Sequence, residues 1–518
     1  MQPTQHNSFS NFWLYCTVFL TGAAVMIIEL LGTRLIAPFY GASLYVWASL
    51  ISVTMIALAM GYFLGGYWAD RAKHAGLALI IGLAALLTMT IPWLVQPVLL
   101  STDHLGLKLG TFISTLILFT PSLTMLGMVG PFAVKRITAN LAGVGTSTGS
   151  IYAVSTVGSV IGTLFLGFYL FPQIGSREII IGLAVGLFVL AFIVAIFERH
   201  QIPLIKTLSF VACFFFMGVS ILLATTPLSN ERVNQQDNDY QTRFERESLY
   251  GWVRVIDNPS LNLRLLTADA STIGAASISQ GENVLTYQKI VKMIPNLVPN
   301  MKQALLIGQG AGHMATTLER KGIRTDTIEI DPAVAEAARD YFDFIPTGQT
   351  LIGDARYEIR KLKGPYDLVI LDVFTGGSEP VHLLTFETLE QIKALLTPDG
   401  LLALNFVAFF EQGQNTALAS VAKTLAQSFA HQLAFISEPD HEFNDFIFIA
   451  SRQPLTIEQS LLNTQQTIWL KQRRIEIDQR KGIVLTDNFN PLEHLQGNKS
   501  EHYRRMMVDM IGTQFFIR

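Results

Sequence analysis

The chain has 518 residues, of which 50% are hydrophobic and only 15% charged, with a net charge of −3 and a mean hydropathy of +0.38. Such a composition excludes an ordinary soluble protein, and without a basic stripe nothing favours a nucleic-acid partner. The two cysteines, Cys16 and Cys213, both lie in apolar runs, so neither a disulfide framework nor a thiolate metal site is expected.

The N-terminal stretch MQPTQHNSFS lacks the basic region of a signal peptide, and the first apolar segment is expected to stay as an anchor. Apolar runs follow near residues 12–31, 45–67, 77–100, 108–130, 148–171, 178–197 and 204–224. Each is long enough to span a bilayer, which predicts a membrane domain of about seven transmembrane helices over residues 1–224. Between Gly149 and Gly167, Gly and Ser recur at helical spacing, which permits close helix packing. Glu29 lies inside the first run with Arg34 just beyond it, and an acid at that depth needs a partner or a task. The loop GGYWADRAKH, with Asp70, Arg71 and Lys73, resembles a transporter-type cytoplasmic loop. Loop charges are nearly level: Arg71, Lys73, Lys135, Arg136, Arg199 and Lys206 on one side, Arg34, Lys108, Arg177, Arg232 and Arg243 on the other.

Residues 225–244, TTPLSNERVNQQDNDYQTRF, are polar and aperiodic and read as a linker to a second domain, 245–518. Short alternating runs between 245 and 285 predict a small antiparallel sheet, and Tyr287 opens an amphipathic helix in TYQKIVKMIPNLV. Residues 304–331 then read as strand, glycine loop, helix and strand: Ala304 to Ile307, the turn Gly308-Gln309-Gly310-Ala311-Gly312, a helix from His313 to Lys321, and a strand ending in Glu329 and Asp331. A glycine turn lets a ligand approach the backbone, and an acid at the end of the second strand can hold two ribose hydroxyls. Further strands end in Gly353-Asp354-Ala355 and in Asp372, and another covers Gly400 to Phe406. Alternating strands and helices predict a doubly wound, Rossmann-like α/β sheet of the methyltransferase type, with its ligand at the carboxyl ends of the strands. Gly308, Glu329, Asp354 and Asp372 all fall at such ends. Residues 452–518 read as one or two helices plus the loop LTDNFNPLE. His313 and His382 belong to no ligand-spaced cluster, so no metal is expected.

ALLIGQGAGH, TIEID, IGDA and YDLVILDVF, in that order and spacing, resemble spermidine synthase and related aminopropyltransferases over roughly residues 245–450. The whole chain resembles the bacterial membrane proteins that fuse helices to such a domain, and LTDNFNPLE looks like the closing motif of that group. The resemblance implies a multi-pass protein of the inner (cytoplasmic) membrane, partnered by the lipid bilayer, with its catalytic domain in the cytoplasm, where the nucleoside is; loop charges lean slightly against that orientation. It also implies a small-molecule nucleoside substrate with no other cofactor, and a tendency to form homo-oligomers, which the helices could oppose. By this resemblance Gly308, Gly310 and Gly312, with Gln309 between them, would line the methionine-derived part of the ligand. Glu329 would hold the ribose, Asp354 the adenine amino group, and Ala355 would lie beside the ring. Asp372 would stand at the place of the catalytic aspartate and Tyr287 at that of a substrate-pocket tyrosine.

The chain departs from the family where a diamine is held. Ala311 replaces the loop aspartate, Thr375 falls at the place of a second acid, and Gln288-Lys289 replaces His-Glu after the tyrosine. An unpaired buried ammonium is costly, so the lost acids weaken an amine pocket. Glu379, His382 and Asp487 are the candidates to replace them. The leading expectation is therefore cleavage of S-adenosylmethionine by its own carboxylate, a lyase reaction giving 5′-methylthioadenosine and homoserine lactone. The alternatives are a polyamine aminopropyltransferase using decarboxylated S-adenosylmethionine, and a non-catalytic nucleoside sensor or transporter. Methyl transfer ranks below them.

Overall fold

The computed structural model describes residues 6–41, 43–71, 76–138, 143–198, 204–225, 240–298, 300–374, 379–457 and 460–517. The chain divides into two compact units, Met1–Gln235 with Thr513–Arg518, and Gln236–Gly512.

The first unit is helical: α1 (His6–Tyr40), α2 (Leu44–Arg71), α3 (Leu77–Thr102), α4 (Gly106–Ile137), α5 (Val144–Phe165), α6 (Ser176–Glu198) and α7 (Leu204–Thr225). Five continuous stretches are long and apolar enough, by length and composition, to cross a membrane. The longest, Leu77–Ile137, is two helices, because a 3-10 turn at Asp103–Leu105 and Gly106 at φ 73° interrupt it. With these separated and the shorter apolar helix 205–221 added, the helices follow the seven apolar runs of the sequence.

Small residues bring α1 and α5 into backbone contact. A Cβ on Gly158 would lie 2.1 Å from the Phe19 carbonyl oxygen, and one on Gly22 2.3 Å from that of Ser155. Ser159 Oγ donates to the Gly22 carbonyl at 2.9 Å across the same seam. Glu198, at the end of α6 and 1% exposed, accepts from the Leu77 and Ala78 amides at the start of α3, each at 3.1 Å, and pairs with Arg136 of α4 at 2.6 Å. One carboxylate thus meets the positive end of a helix and a cation together. Glu29 hydrogen-bonds with Thr54 of α2, while Arg34 lies 5.0 Å from the Phe171 ring centroid. Asp70 pairs with Lys135 at 2.6 Å; Lys73, Arg199 and Arg232 lie outside the described residues.

The second unit opens with a four-stranded antiparallel sheet in the order β1 (Gln241–Glu247), β2 (Trp252–Asn258), β3 (Leu263–Ala268), β4 (Ser271–Ser277). β1 begins inside the stretch read as linker; of that stretch, residues 226–239 lie outside the described residues. Then come α8 (Tyr287–Met293), β5 (Gln303–Ile307), α9 (His313–Glu319), β6 (Arg324–Glu329), α10 (Pro332–Tyr341), β7 (Thr350–Ile352), α11 (Ala355–Glu358) and β8 (Tyr366–Leu371). They are followed by α12 (Phe386–Ala394), β9 (Leu396–Phe409), α13 (Thr416–Ser428), β10 (His431–Ile436), β11 (Phe443–Ser451), α14 (Thr464–Lys471), β12 (Arg474–Ile475), α15 (Leu492–Leu495) and α16 (Gly497–Ile511).

Strands β5 to β12 form one sheet in the order β12-β10-β11-β9-β8-β5-β6-β7. β7, β6, β5, β8 and β9 are parallel, and β11, β10 and β12 extend the sheet antiparallel. Strand order reverses between β5 and β8, which opens a crevice at their carboxyl ends. The central strands are apolar on both faces because helices cover both. Ala304, Leu306, Leu368 and Ile370 pack with Ile290 of α8 and Leu318 of α9, whereas Leu305, Ile307, Val369 and Leu371 pack with Ile392 of α12 and Leu418 of α13.

Replacing Gly158 by Leu forces α1 and α5 apart, and the expected loss is about 2 kcal/mol or more, read as a lowered unfolding midpoint of the detergent-solubilised chain. Gly167→Leu, at a position whose Cβ would meet nothing within 4 Å, leaves that midpoint unchanged.

Candidate functional site

At the carboxyl ends of β5, β6 and β8 lies a cavity of about 560 Å³. Its floor is the turn after β5. Gly308 has φ 87°, and a Cβ there would stand 2.0 Å from the Asp372 carbonyl oxygen, so the crossing of this turn with the end of β8 admits only glycine. The Gly310 amide donates to Glu329 Oε2 at 3.2 Å and the Asp331 amide to Oε1 at 3.1 Å, which fixes the carboxylate at the end of β6 against the loop. Burial pushes Glu329 up to about 7 against these hydrogen bonds. Gln309 points into the protein, where its Oε1 accepts from Thr327 Oγ1 at 3.3 Å.

Asp354 caps α11, accepting from the Tyr357 amide at 3.1 Å, and its other oxygen lies 3.2 Å from His382 Nε2. Asp372, just past β8, accepts from Tyr287 Oη at 2.9 Å on one oxygen and from Asn405 Nδ2 at 2.8 Å on the other. Burial raises the Asp372 carboxyl above the usual range, and the two hydrogen bonds oppose it. Tyr287, Gly308, Gln309, Gly310, Gly312, Glu329, Asp354, Ala355 and Asp372 all line this one cavity.

The expected replacements for the lost acids stand elsewhere or are occupied. Glu379, 3% exposed, is not in the cavity wall; it accepts from the Val407 amide at 2.9 Å and pairs with Lys499 of α16 at 2.5 Å. Asp487 pairs with Arg356, also outside the wall, and His382 faces Asp354. Thr375 lies outside the described residues. Ala311, 4% exposed, faces Gly274 of β4, where a Cβ would come within 2.5 Å of its own.

Sequence reading missed Asp445 and Asn405. Asn405 of β9 gives its amide nitrogen to both Asp372 and, at 3.3 Å, Asp445 of β11. Burial pushes Asp445 up to about 7. Its signal was an acid near the head of an otherwise apolar run, FNDFIFIAS. Of the one or two helices expected in the tail, it also missed that α16 supplies Tyr503, Met506, Met507 and Met510 to the wall. The Thr272 amide donates to Tyr503 Oη at 3.1 Å, and the Tyr503 ring meets Phe374 edge-on at 5.0 Å. Among the described residues the wall holds six carboxylates (Glu329, Asp331, Asp354, Asp372, Glu438 and Asp445) and neither lysine nor arginine.

The reversal of strand order, the glycine turn and the acids at successive strand ends define a Rossmann-like α/β unit of the methyltransferase type. Residues 285–438 match the spermine/spermidine synthase domain, and the match follows the N-terminal helical unit in the chain. It is 30% identical over 244 residues to an N-terminal histidine N-methyltransferase of Emericella nidulans, covering 42% of this chain and 43% of that protein. It is 33% identical over 172 residues to a polyamine aminopropyltransferase of Vibrio vulnificus, covering 31% of this chain and 58% of that protein. The chain thus spans about half the length of the curated relatives it matches. The spermidine synthase structure from Thermotoga maritima aligns at 19% identity with a TM-score of 0.35, covering 46% of this chain and 81% of that one.

Lys499→Met strands the Glu379 carboxylate in the interior, and the expected cost is about 3–5 kcal/mol in thermal unfolding. Adding Glu379→Gln to it recovers part of that loss.

Proposed function

We propose that the chain is a membrane-embedded enzyme that transfers the 3-aminopropyl group of decarboxylated S-adenosylmethionine to an amine, releasing 5′-methylthioadenosine. The observation that carries this reading is the charge of the cavity wall, six carboxylates without a lysine or arginine among the described residues. The decarboxylated donor and an amine acceptor are both cations. A donor that kept its α-carboxylate would meet Asp372 and Asp445 with neither lysine nor arginine among the described wall residues to hold it. That ranks transfer above the lactone-forming cleavage of S-adenosylmethionine. Cleavage stays as the second reading because Ala311 removes the acid that would repel such a carboxylate.

In this reading Gly308, Gly310 and Gly312 let the aminopropyl arm and sulfonium approach the backbone, with Gln309 bracing the loop. Glu329 accepts from the ribose hydroxyls, Asp354 from the adenine amino group, and Ala355 lies beside the ring. The amine lone pair attacks the carbon next to the sulfonium. The C–S bond breaks with its electrons on sulfur, and methylthioadenosine leaves as a neutral thioether. The enzyme orients the attacker and shields the site, and Asp372, held by Tyr287, takes the proton from the amine. The helical unit is read as spanning a bilayer, which rests on the length and apolarity of its helices. A cytosolic nucleoside puts the α/β unit on the cytoplasmic side.

Mass spectrometry of products from the detergent-solubilised chain tests this. Decarboxylated S-adenosylmethionine with putrescine, spermidine or agmatine is expected to give methylthioadenosine and an aminopropylated amine. Methylthioadenosine with homoserine lactone from S-adenosylmethionine alone would establish the second reading instead, and S-adenosylhomocysteine would mark methyl transfer. Asp372→Asn is expected to cut methylthioadenosine release by about 100-fold or more, and an unchanged rate would overturn either assignment.

A pH dependence follows from Glu329. Its carboxyl is raised to about 7 in the free protein, and ribose hydroxyls bond best to its ionised form. Binding then releases a proton, so methylthioadenosine affinity rises with pH through about 7. In Glu329→Gln the affinity is weaker and flat across pH 6 to 8, read by calorimetry.

A further inference from the structure

The side of the cavity beyond Asp372 is built by two neighbouring strands, β9 and β11. Asn405 and Val407 alternate onto one face of β9, and Phe443 and Asp445 onto the same face of β11, with Asp445 paired in register to Val407. The Asn405 amide has two N–H groups and gives one to each carboxylate, at 2.8 Å to Asp372 and 3.3 Å to Asp445. The two acids are therefore held side by side, facing the same space. Aromatic rings wall that space: Phe374 meets Tyr503 at 5.0 Å, and Phe443 lies 6.2 Å from Tyr503. Lys499, whose charge acts on Asp445, is paired with Glu379, which is not in the wall. Paired carboxylates among aromatic faces are the chemistry that recognises an ammonium group.

We propose that Asp445 is the anchor for the acceptor's cationic nitrogen and sets the enzyme's choice of acceptor, replacing from β11 the acids missing from the loop after β8. This rests on the aminopropyl-transfer reading above. The acceptor is an aliphatic amine with a protonated nitrogen lodged between Asp445 and the aromatic wall. The nitrogen that attacks lies against Asp372 and gives up its proton there. Asn405 is a positioning residue that holds the two carboxylates in register. The buried carboxyl of Asp445, raised toward neutrality in the free site, becomes fully ionised when the ammonium arrives.

The test is amine kinetics of the full chain with decarboxylated S-adenosylmethionine and putrescine, spermidine or agmatine, together with calorimetric titration of methylthioadenosine. Asp445→Asn, which keeps the side chain's shape, is expected to raise the KM for the amine on the order of 10- to 100-fold, with kcat reduced far less. Methylthioadenosine affinity stays at the wild-type value. Asp445→Glu restores part of the amine KM, a rescue that a merely structural role would not produce. Asp372→Asn shows the opposite split, with the loss in kcat. Amine-dependent turnover by the wild type with an unchanged amine KM in Asp445→Asn would overturn the anchor and leave the aminopropyl reading standing. So would an equal loss in methylthioadenosine affinity, which would make Asp445 a structural residue. No amine-dependent methylthioadenosine release by the wild type would overturn both.

Discussion

Carboxylates gathered in a cleft whose wall, among the described residues, holds neither lysine nor arginine are costly to keep ionised, and a cation entering it would offset that cost. The α/β unit is arranged around this constraint. Glu329, Asp354 and Asp372 arrive at the cavity from successive parallel strand ends, and Asp445 arrives from an antiparallel strand beyond them. Backbone amides, a phenol and an asparagine amide hold three of them in place without neutralising them. A lysine at any of these points would pair with the carboxylate and remove that cost. The buried Lys499 is instead paired with Glu379, outside the cavity.

The centre of this arrangement was legible in the sequence, because its signals are local. The apolar run before Gly308, the glycines themselves and the acids closing each strand sit within a few residues of the geometry they create. Gly308 and Asp372 touch across the crevice, yet each is announced by its own strand end. Asp445 was not legible in the same way. Its meaning comes from a lateral neighbour, Asn405, forty residues earlier, and the antiparallel pairing that joins them leaves no spacing rule in the chain. The start of β1 was hidden for a different reason: QTRF, its first four residues, is mostly polar and reads as linker until β2 pairs with it.

The helical unit divides the same way. Its helices follow the apolar runs, and the small residues of Gly149–Gly167 do mark a close crossing, through Gly158. The break within Leu77–Ile137 was legible as the gap between the runs 77–100 and 108–130, and Gly106 at positive φ makes it. The joint role of Glu198 depends on three chain segments meeting, which is not a property of composition. Glu29 found its hydrogen-bond partner on another helix, which an acid in an apolar segment requires but does not name.

The pairing of Glu379 with Lys499 sets an order on the protein's synthesis. Glu379 lies between β8 and α12, whereas Lys499 is near the start of α16, 120 residues later in the chain. Until α16 docks, Glu379 has no cation, and the wall formed by Tyr503, Met506, Met507 and Met510 is open. A nascent chain can complete its glycine turn and its parallel strands before α16 is made, but it cannot close this cavity until α16 has followed. A chain shortened ahead of α16 keeps the glycine turn and the strand-end carboxylates and lacks the part of the cavity wall that Tyr503, Met506, Met507 and Met510 supply.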